Sequence, residues 1–252
     1  MAIRFAKEGA NLVITGKSAK PHPKLPGTIH TVAEEVTAIG GKALPLKLDV
    51  RCEENIAEVV EQTVKTFGGL DILINNASAI FLADTLHTPL KRFDLMMNVN
   101  ARATFACSQA CLPYLKKSDN PHILNLAPPL NMQAKWFKDH LAYTYSKYGM
   151  SMCTLGMSEE FKSEGIAVNS LWPKTTIATA AIAAHFSEEM LRASRHPEIV
   201  ADAAYEILCQ DAKTTTGNFF IDEEVLEKSG VNDFSRYNQQ LGIPPQLDLF
   251  LE

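Results

Sequence analysis

A doubly wound α/β fold with a mostly parallel sheet is the class this sequence predicts, and three observations carry it. Short apolar runs alternate with longer helical stretches along the chain, the pattern of successive βαβ units. Several of those runs are rich in Val, Ile and Leu without clean alternation, as strands covered on both faces are. Gly9, Gly40, Gly41, Gly68, Gly69 and Gly165 each stand where a helix should stop before the next strand.

Taken in order, Met1–Gly9 reads as the second half of a helix, followed by a strand over Asn11–Thr15. Gly16–Gly27 holds three prolines and is a loop. A helix near Thr28–Ile39 leads to a strand over Ala43–Leu48, then a helix over Glu53–Phe67 and a strand over Asp71–Ile74. One long helix spans Leu90–Leu115, and the strand His122–Leu126 and loop Ala127–His140 follow it. The last predicted elements are a helix over Tyr143–Ser163, a strand over Ile166–Leu171, a helix near Pro197–Gln210 and a strand over Asn218–Ile221. The stretch Ile177–Leu191 fits either an amphipathic flap over a hydrophobic ligand or an ordinary helix. Nothing repeats and no linker divides the chain, so residues 1–252 read as one domain with an irregular tail from about Gly230.

At 252 residues and 46% hydrophobic content, a chain can bury a full core. A net charge of -5 with interspersed signs gives no case for nucleic acid or an anionic membrane surface. Five scattered cysteines argue against a disulfide framework and for an intracellular, reducing compartment. Cys107 and Cys111 lie four apart without further ligands nearby, so they read as small buried apolar residues and no metal is expected. No apolar run approaches the roughly 18 residues of a membrane span. The N-terminus does not read as a signal peptide, and the C-terminus carries no peroxisomal tripeptide.

The chemistry starts at Tyr143-Thr144-Tyr145-Ser146-Lys147. On a helix, residues i and i+4 share a face, so Lys147 can hold its ammonium near the Tyr143 hydroxyl. A cation there favours phenolate and lowers a pKa that starts near about 10. A general acid/base needs that when a carbonyl oxygen takes or loses a proton during hydride transfer. Tyr145 and Tyr148 lack such a partner, since Gly149 and Met152 occupy their i+4 positions. Six Tyr and 17 Lys in 252 residues give about 0.4 such pairs by chance, so position must decide. The pair opens the helix that follows one strand, and Asn75-Asn76-Ala77 ends an earlier one, as Asp49-Val50 does another. In open α/β sheets ligands bind at those carboxyl ends.

With these residues the sequence resembles the short-chain dehydrogenase/reductase family. Within it the chain is most similar to the hydroxysteroid dehydrogenase-like branch whose members also carry a sterol-carrier module. The cues are Lys20-Pro21-His22-Pro23-Lys24-Leu25, Leu95-Met96-Met97-Asn98-Val99-Asn100 and Leu171-Trp172-Pro173-Lys174-Thr175. The resemblance covers essentially the whole chain, with no sterol-carrier domain in it. It implies Tyr143 as proton donor and acceptor, Lys147 as ligand of the nicotinamide ribose, and Asn100 as holder of a water that relays protons to Lys147. Asp49 and Val50 would flank the adenine, Asn76 and Ala77 would line the cofactor cleft, and Thr176 or Thr179, after Pro173, would face the carboxamide. It further implies oxidoreduction of an alcohol/carbonyl pair on an apolar, lipid-like substrate, in a peroxisome or mitochondrion. Oligomeric state stays open, a homo-oligomer included.

An NAD enzyme usually carries an acid at the end of the second strand, whereas a basic residue accommodates a 2′-phosphate. Ile14-Thr15-Gly16-Lys17-Ser18 has Lys17 and no acid, which favours NADP over NAD. A solvated loop lysine is the alternative. Three departures from the family pattern stand out. The first strand and its T-G-x-x-x-G-x-G turn, which normally hold the pyrophosphate, do not occur in this chain. Pro128 stands where the catalytic serine belongs, with Asn131 as a distant substitute, and Ser78 replaces a glycine. The expectations are a break in the sheet between the strands at 11–15 and 71–74, and impaired turnover. The rival reading is a non-catalytic relative that keeps the fold as a ligand-binding or interaction module.

Overall fold

The computed structural model describes residues 1–21 and 27–252, so residues 22–25 of the first family cue lie outside the described residues. Among the described residues there are six strands: β1 (Asn11–Gly16), β2 (Lys42–Lys47), β3 (Ile72–Asn75), β4 (His122–Asn125), β5 (Ala167–Trp172) and β6 (Phe219–Ile221). The helices are α1 (Ala2–Lys7), α2 (Ile29–Ala38), α3 (Glu53–Phe67), α4 (Leu90–Met96), α5 (Ala103–Leu115) and α6 (Leu141–Glu160). They continue as α7 (Ala180–His185), α8 (Glu188–Arg192), α9 (Glu198–Leu208) and α10 (Asp222–Lys228). Parallel strands joined by helices make this the expected α/β class, with the predicted strands found within a residue of their expected bounds. Helix α10 was not expected, since seven residues after a strand carry too few periods to read.

Contacts among the described residues gather into two compact units. One comprises Met1–Lys47, Pro173–Cys209 and Ile221–Glu252; the other comprises Leu48–Trp172 and Gln210–Phe220. The strands fall into two ladders, β1-β2 and β3-β4-β5-β6, so the break expected between β1 and β3 is found. In the first ladder β1 and β2 are only half-buried, whereas β4 and β5 are buried at every residue. Strand β3 forms an edge of its ladder, and Ile72 on it is 43% exposed.

In the second unit the core is built from α3, α5, β4, α6 and β5. Val60, Cys111, Leu115, Ile123, Met157, Phe161, Ile166 and Val168 form one cluster. Helix α3 contributes Val60 to it, buries Ile56, Val59, Val60 and Thr63 as an i, i+3, i+4, i+7 stripe, and stops at Gly68 in the left-handed conformation that glycine adopts without strain. The long helix expected over Leu90–Leu115 is interrupted. Met97–Arg102 widens into a π turn between α4 and α5, a feature that recurs at functional sites. Here it sets Asn100, wholly buried, between two other segments. Against this turn α6 packs so closely that a Cβ on Gly149 would meet Ala101 Cβ at 2.5 Å.

In the first unit, α10 starts on a charged cluster. The Asp222 carboxylate accepts hydrogen bonds from the Lys174 and Glu223 amides, each at 2.8 Å. Glu223 pairs with Lys174 Nζ at 2.9 Å and Arg195 Nη2 at 2.7 Å. Burial, and then the neighbouring Glu223 charge, push the Asp222 carboxyl up to about 6, against those amide bonds and the Arg195 charge. A folded pKa raised from 3.8 to about 6 gives stability that is full below about pH 4 and is lost as pH rises through 6. Asp222→Asn keeps an acceptor for both amides and removes the titration. Its unfolding free energy relative to the parent is expected to rise between pH 4 and 7 by about 2–3 kcal/mol. Urea unfolding at both pH values checks this, and a difference independent of pH refutes it.

Candidate active site

The carboxyl ends of β3, β4 and β5 carry a buried polar ladder. Asn75, Asn125 and Ser170 are register partners across the three strands. Asn75 Nδ2 donates to Asn125 Oδ1 at 2.9 Å, and Asn125 Nδ2 donates to Thr154 Oγ1 of α6 at 2.8 Å. Thr154 Oγ1 lies 2.7 Å from Ser170 Oγ. Ser108 of α5 accepts a further bond from Asn75 Nδ2 at 3.3 Å. Asn125, Thr154, Ser170 and Ser108 are all 0% exposed. Each polar atom that loses water here finds a partner, which fixes the spacing of strand ends and α6. Sequence reasoning missed this ladder. The available signal was an asparagine at the end of two apolar runs, Asn75 after Ile74 and Asn125 after Leu124.

Above the ladder, α6 presents Tyr143 and Lys147 one turn apart, 6% and 3% exposed. Lys147 Nζ donates to the Leu126 carbonyl at 2.6 Å, just past β4, and lies 3.4 Å from Met150 Sδ. The neighbouring tyrosines are engaged elsewhere. Tyr145 is 51% exposed and stacks on Phe93, while the buried Tyr148 hydroxyl donates to the Asn131 carbonyl at 2.6 Å. Beside Tyr143 sits the His140 ring, with centroids 6.4 Å apart. Burial lowers the His140 pKa, opposed by Asp139, which favours a neutral imidazole next to the phenol.

Asn100 braces this arrangement. Its Oδ1 accepts from the Ala79 amide at 2.7 Å, and its Nδ2 donates to Ala79 O and Ser146 Oγ, each at 2.9 Å. Ser146 Oγ in turn donates to Tyr143 O at 2.8 Å. The loop after Asn76 and Ala77, the π turn and the first turn of α6 are thereby tied together. Asn76 and Ala77 themselves are exposed just past β3. Asp49 follows β2, and its carboxylate is held by Arg51 at 2.8 and 2.5 Å, with Val50 between them.

Four of the expected site residues lie in the other unit. Lys17 is exposed just past β1. Thr176 is buried; its hydroxyl is 2.9 Å from Ser194 Oγ and its amide donates to Gln246 O at 2.9 Å. Thr179 caps α7 through the Ile182 amide. Pro173 begins the same segment, directly after β5. The two polar groups of Thr176 are therefore spent within the fold.

The departures can be read locally. Ser78 fits without strain, because among the described residues Phe250 alone of the non-glycines has positive φ. Pro128 is buried and offers no hydroxyl. The nearby Ser151 hydroxyl donates to the Pro128 carbonyl at 2.7 Å, so it is turned to backbone. Asn131 Oδ1 accepts from the Gln133 amide at 3.1 Å.

Residues 1–189 match the short chain dehydrogenase family. The chain is 57% identical over all 252 residues to hydroxysteroid dehydrogenase-like protein 2 from Homo sapiens, covering 60% of that protein. It spans about half to three-fifths of the length of the curated relatives it matches. Among solved structures, one from Xanthomonas campestris superposes with a TM-score of 0.96 at 51% identity, covering 100% of this chain and 92% of that one. A short chain dehydrogenase from Mycobacterium thermoresistibile gives 0.94 at 47% identity, with coverage of 100% and 89%. Fold, strand-end site and sequence likeness converge: the chain belongs to the short chain dehydrogenase family.

Proposed function

We propose that this chain is the catalytic part of an NADP-dependent oxidoreductase that interconverts an alcohol and a carbonyl on an apolar, lipid-like substrate. The carrying observation is the buried Tyr143/Lys147 pair, its ammonium held at the carboxyl end of β4. Tyr143 gives a proton to the substrate oxygen during reduction and takes it back during oxidation. The Lys147 charge favours the phenolate and so brings the phenol toward the working pH. Asn100 and Ser146 hold the first turn of α6, and with it Tyr143, in place. When bound, the nicotinamide supplies or accepts the hydride.

The residues present match the family pattern at the nicotinamide and adenosine ends of that cofactor. Lys147, Asn76 and Ala77 would hold the nicotinamide ribose and line the cleft; Asp49 and Val50 would flank the adenine. Thr176 or Thr179, after Pro173, would be the carboxamide contact that the family pattern suggests. No T-G-x-x-x-G-x-G segment occurs among the 252 residues, so the pyrophosphate has no glycine cradle in them. An apolar substrate is supported by Ile80, Leu82, Met132 and Leu141, all exposed on loops that leave β3 and β4 or at the start of α6. Phe105 on α5, with Tyr145, Met152 and Leu155 on α6, is also about half exposed, which supports a homo-oligomer.

The test expresses Met1–Glu252 beside a version carrying a grafted upstream strand and glycine turn. NADPH consumption is followed with apolar aldehydes, ketones and steroids. The grafted chain is expected to turn over, and Met1–Glu252 to be at least about 10²–10³ slower, since anchoring N–H donors are lost. No turnover by either chain refutes the oxidoreductase reading in favour of a binding module. Equal turnover refutes the need for the turn.

Lys17 sets the expected cofactor preference. In the grafted chain Lys17→Glu should weaken NADPH binding about ten-fold or more while leaving NADH binding little changed, as a charge-assisted phosphate contact is lost. Equal losses for the two cofactors would make Lys17 a bystander.

A further inference from the structure

We infer that Trp172 is a positioning residue for Lys147, its indole face holding the buried ammonium at the carboxyl ends of β4 and β5. This deepens the oxidoreductase reading and rests on it for its catalytic consequence. Lys147 Nζ lies 5.0 Å from the Trp172 ring centroid, within cation–π range. Both residues are buried, at 3% and 7% exposure. An ammonium taken out of water needs compensation. Lys147 finds it in the Leu126 carbonyl at 2.6 Å along one N–H direction and in the negative face of the indole. Met150 Sδ at 3.4 Å bounds it further.

The indole is a fixed platform. Trp172 is the last residue of a strand buried at all six positions. The next residue, Pro173, disfavours the helical region for Trp172 and keeps it extended. A flexible lysine is thereby confined between two rigid strand ends. Indole binds a cation more strongly than phenol or phenyl rings do, so the ring favours the protonated amine that Tyr143 depends on. The same ring also limits where the ammonium can sit, and that is what a ribose ligand requires. Trp172 belongs to one of the segments by which the sequence resembles its branch, yet the sequence alone gives it no task.

Fluorinated tryptophans test this, because they weaken the face of the ring while nearly keeping its shape. Met1–Glu252 carrying Trp136→Phe, so that Trp172 is its only indole, is labelled with tryptophan bearing zero, one, two or three fluorines. The ionisation of Lys147 is followed by NMR of 13C-labelled lysine, assigned with Lys147→Met. The midpoint is expected to fall stepwise with fluorine number, by about half a unit to one unit over the series. A midpoint that does not move overturns the proposal, whatever Trp172→Leu does to stability. The grafted chain adds the functional arm: the alkaline limb of its pH–rate profile should move down in parallel. If the midpoint falls while that limb stays fixed, Trp172 still holds Lys147 and the oxidoreductase role of Lys147 is what fails.

Discussion

Tyr143→Phe in the grafted chain is expected to lower turnover by about 10²–10⁴, the usual worth of a positioned general acid/base. The substitution removes one hydroxyl from a side chain that is 6% exposed, so the fold should survive and cofactor binding should change little. Tyr145→Phe and Tyr148→Phe are the controls. The first ring is half-exposed and stacked on Phe93, and the second hydroxyl grips the Asn131 backbone. Tyr145→Phe should retain near-parent turnover, and Tyr148→Phe should lose stability rather than chemistry. Retained turnover by Tyr143→Phe, with tight NADPH binding, would remove the assignment of the phenol.

Asn125→Ala is expected to destabilise the protein by about 2–4 kcal/mol, read as a lower urea midpoint with unchanged slope. Asn125 is 0% exposed and satisfies Asn75 and Thr154 at once. Truncation leaves a buried amide donor with only the longer Ser108 contact, and opens a cavity beneath the site. Asn76→Ala, one residue past β3 and exposed, should cost under about 0.5 kcal/mol. If the two substitutions cost the same, the polar ladder is not what fixes the strand ends.

Much of this was legible in the sequence because it depends on short-range order. Strand bounds came from apolar runs between glycines, and α3 from its 3.6-residue period. That Tyr143 and Lys147 stand one turn apart on one helix follows from their i, i+4 spacing. What was misread depends on partners far along the chain. The π turn at Met97–Arg102 breaks an otherwise continuous helical pattern because Asn100 is drawn to Ala79 and Ser146, 21 and 46 residues away. The Thr176 hydroxyl, 2.9 Å from Ser194 Oγ, likewise meets a partner 18 residues on that spacing does not reveal.

The sequence by itself determined the α/β class, the family and the placing of Tyr143 and Lys147 one turn apart on a helix. Periodicity, glycine punctuation and residue spacing are local properties that any fold built on them must honour. Only the tertiary structure decided how the strand ends are held apart and which indole meets the Lys147 charge. It also decided that Ser151 bonds to backbone instead of standing in at Pro128. Those outcomes turn on which buried polar atoms find partners once water has been excluded, and that is fixed by strand register and helix packing across long stretches of chain.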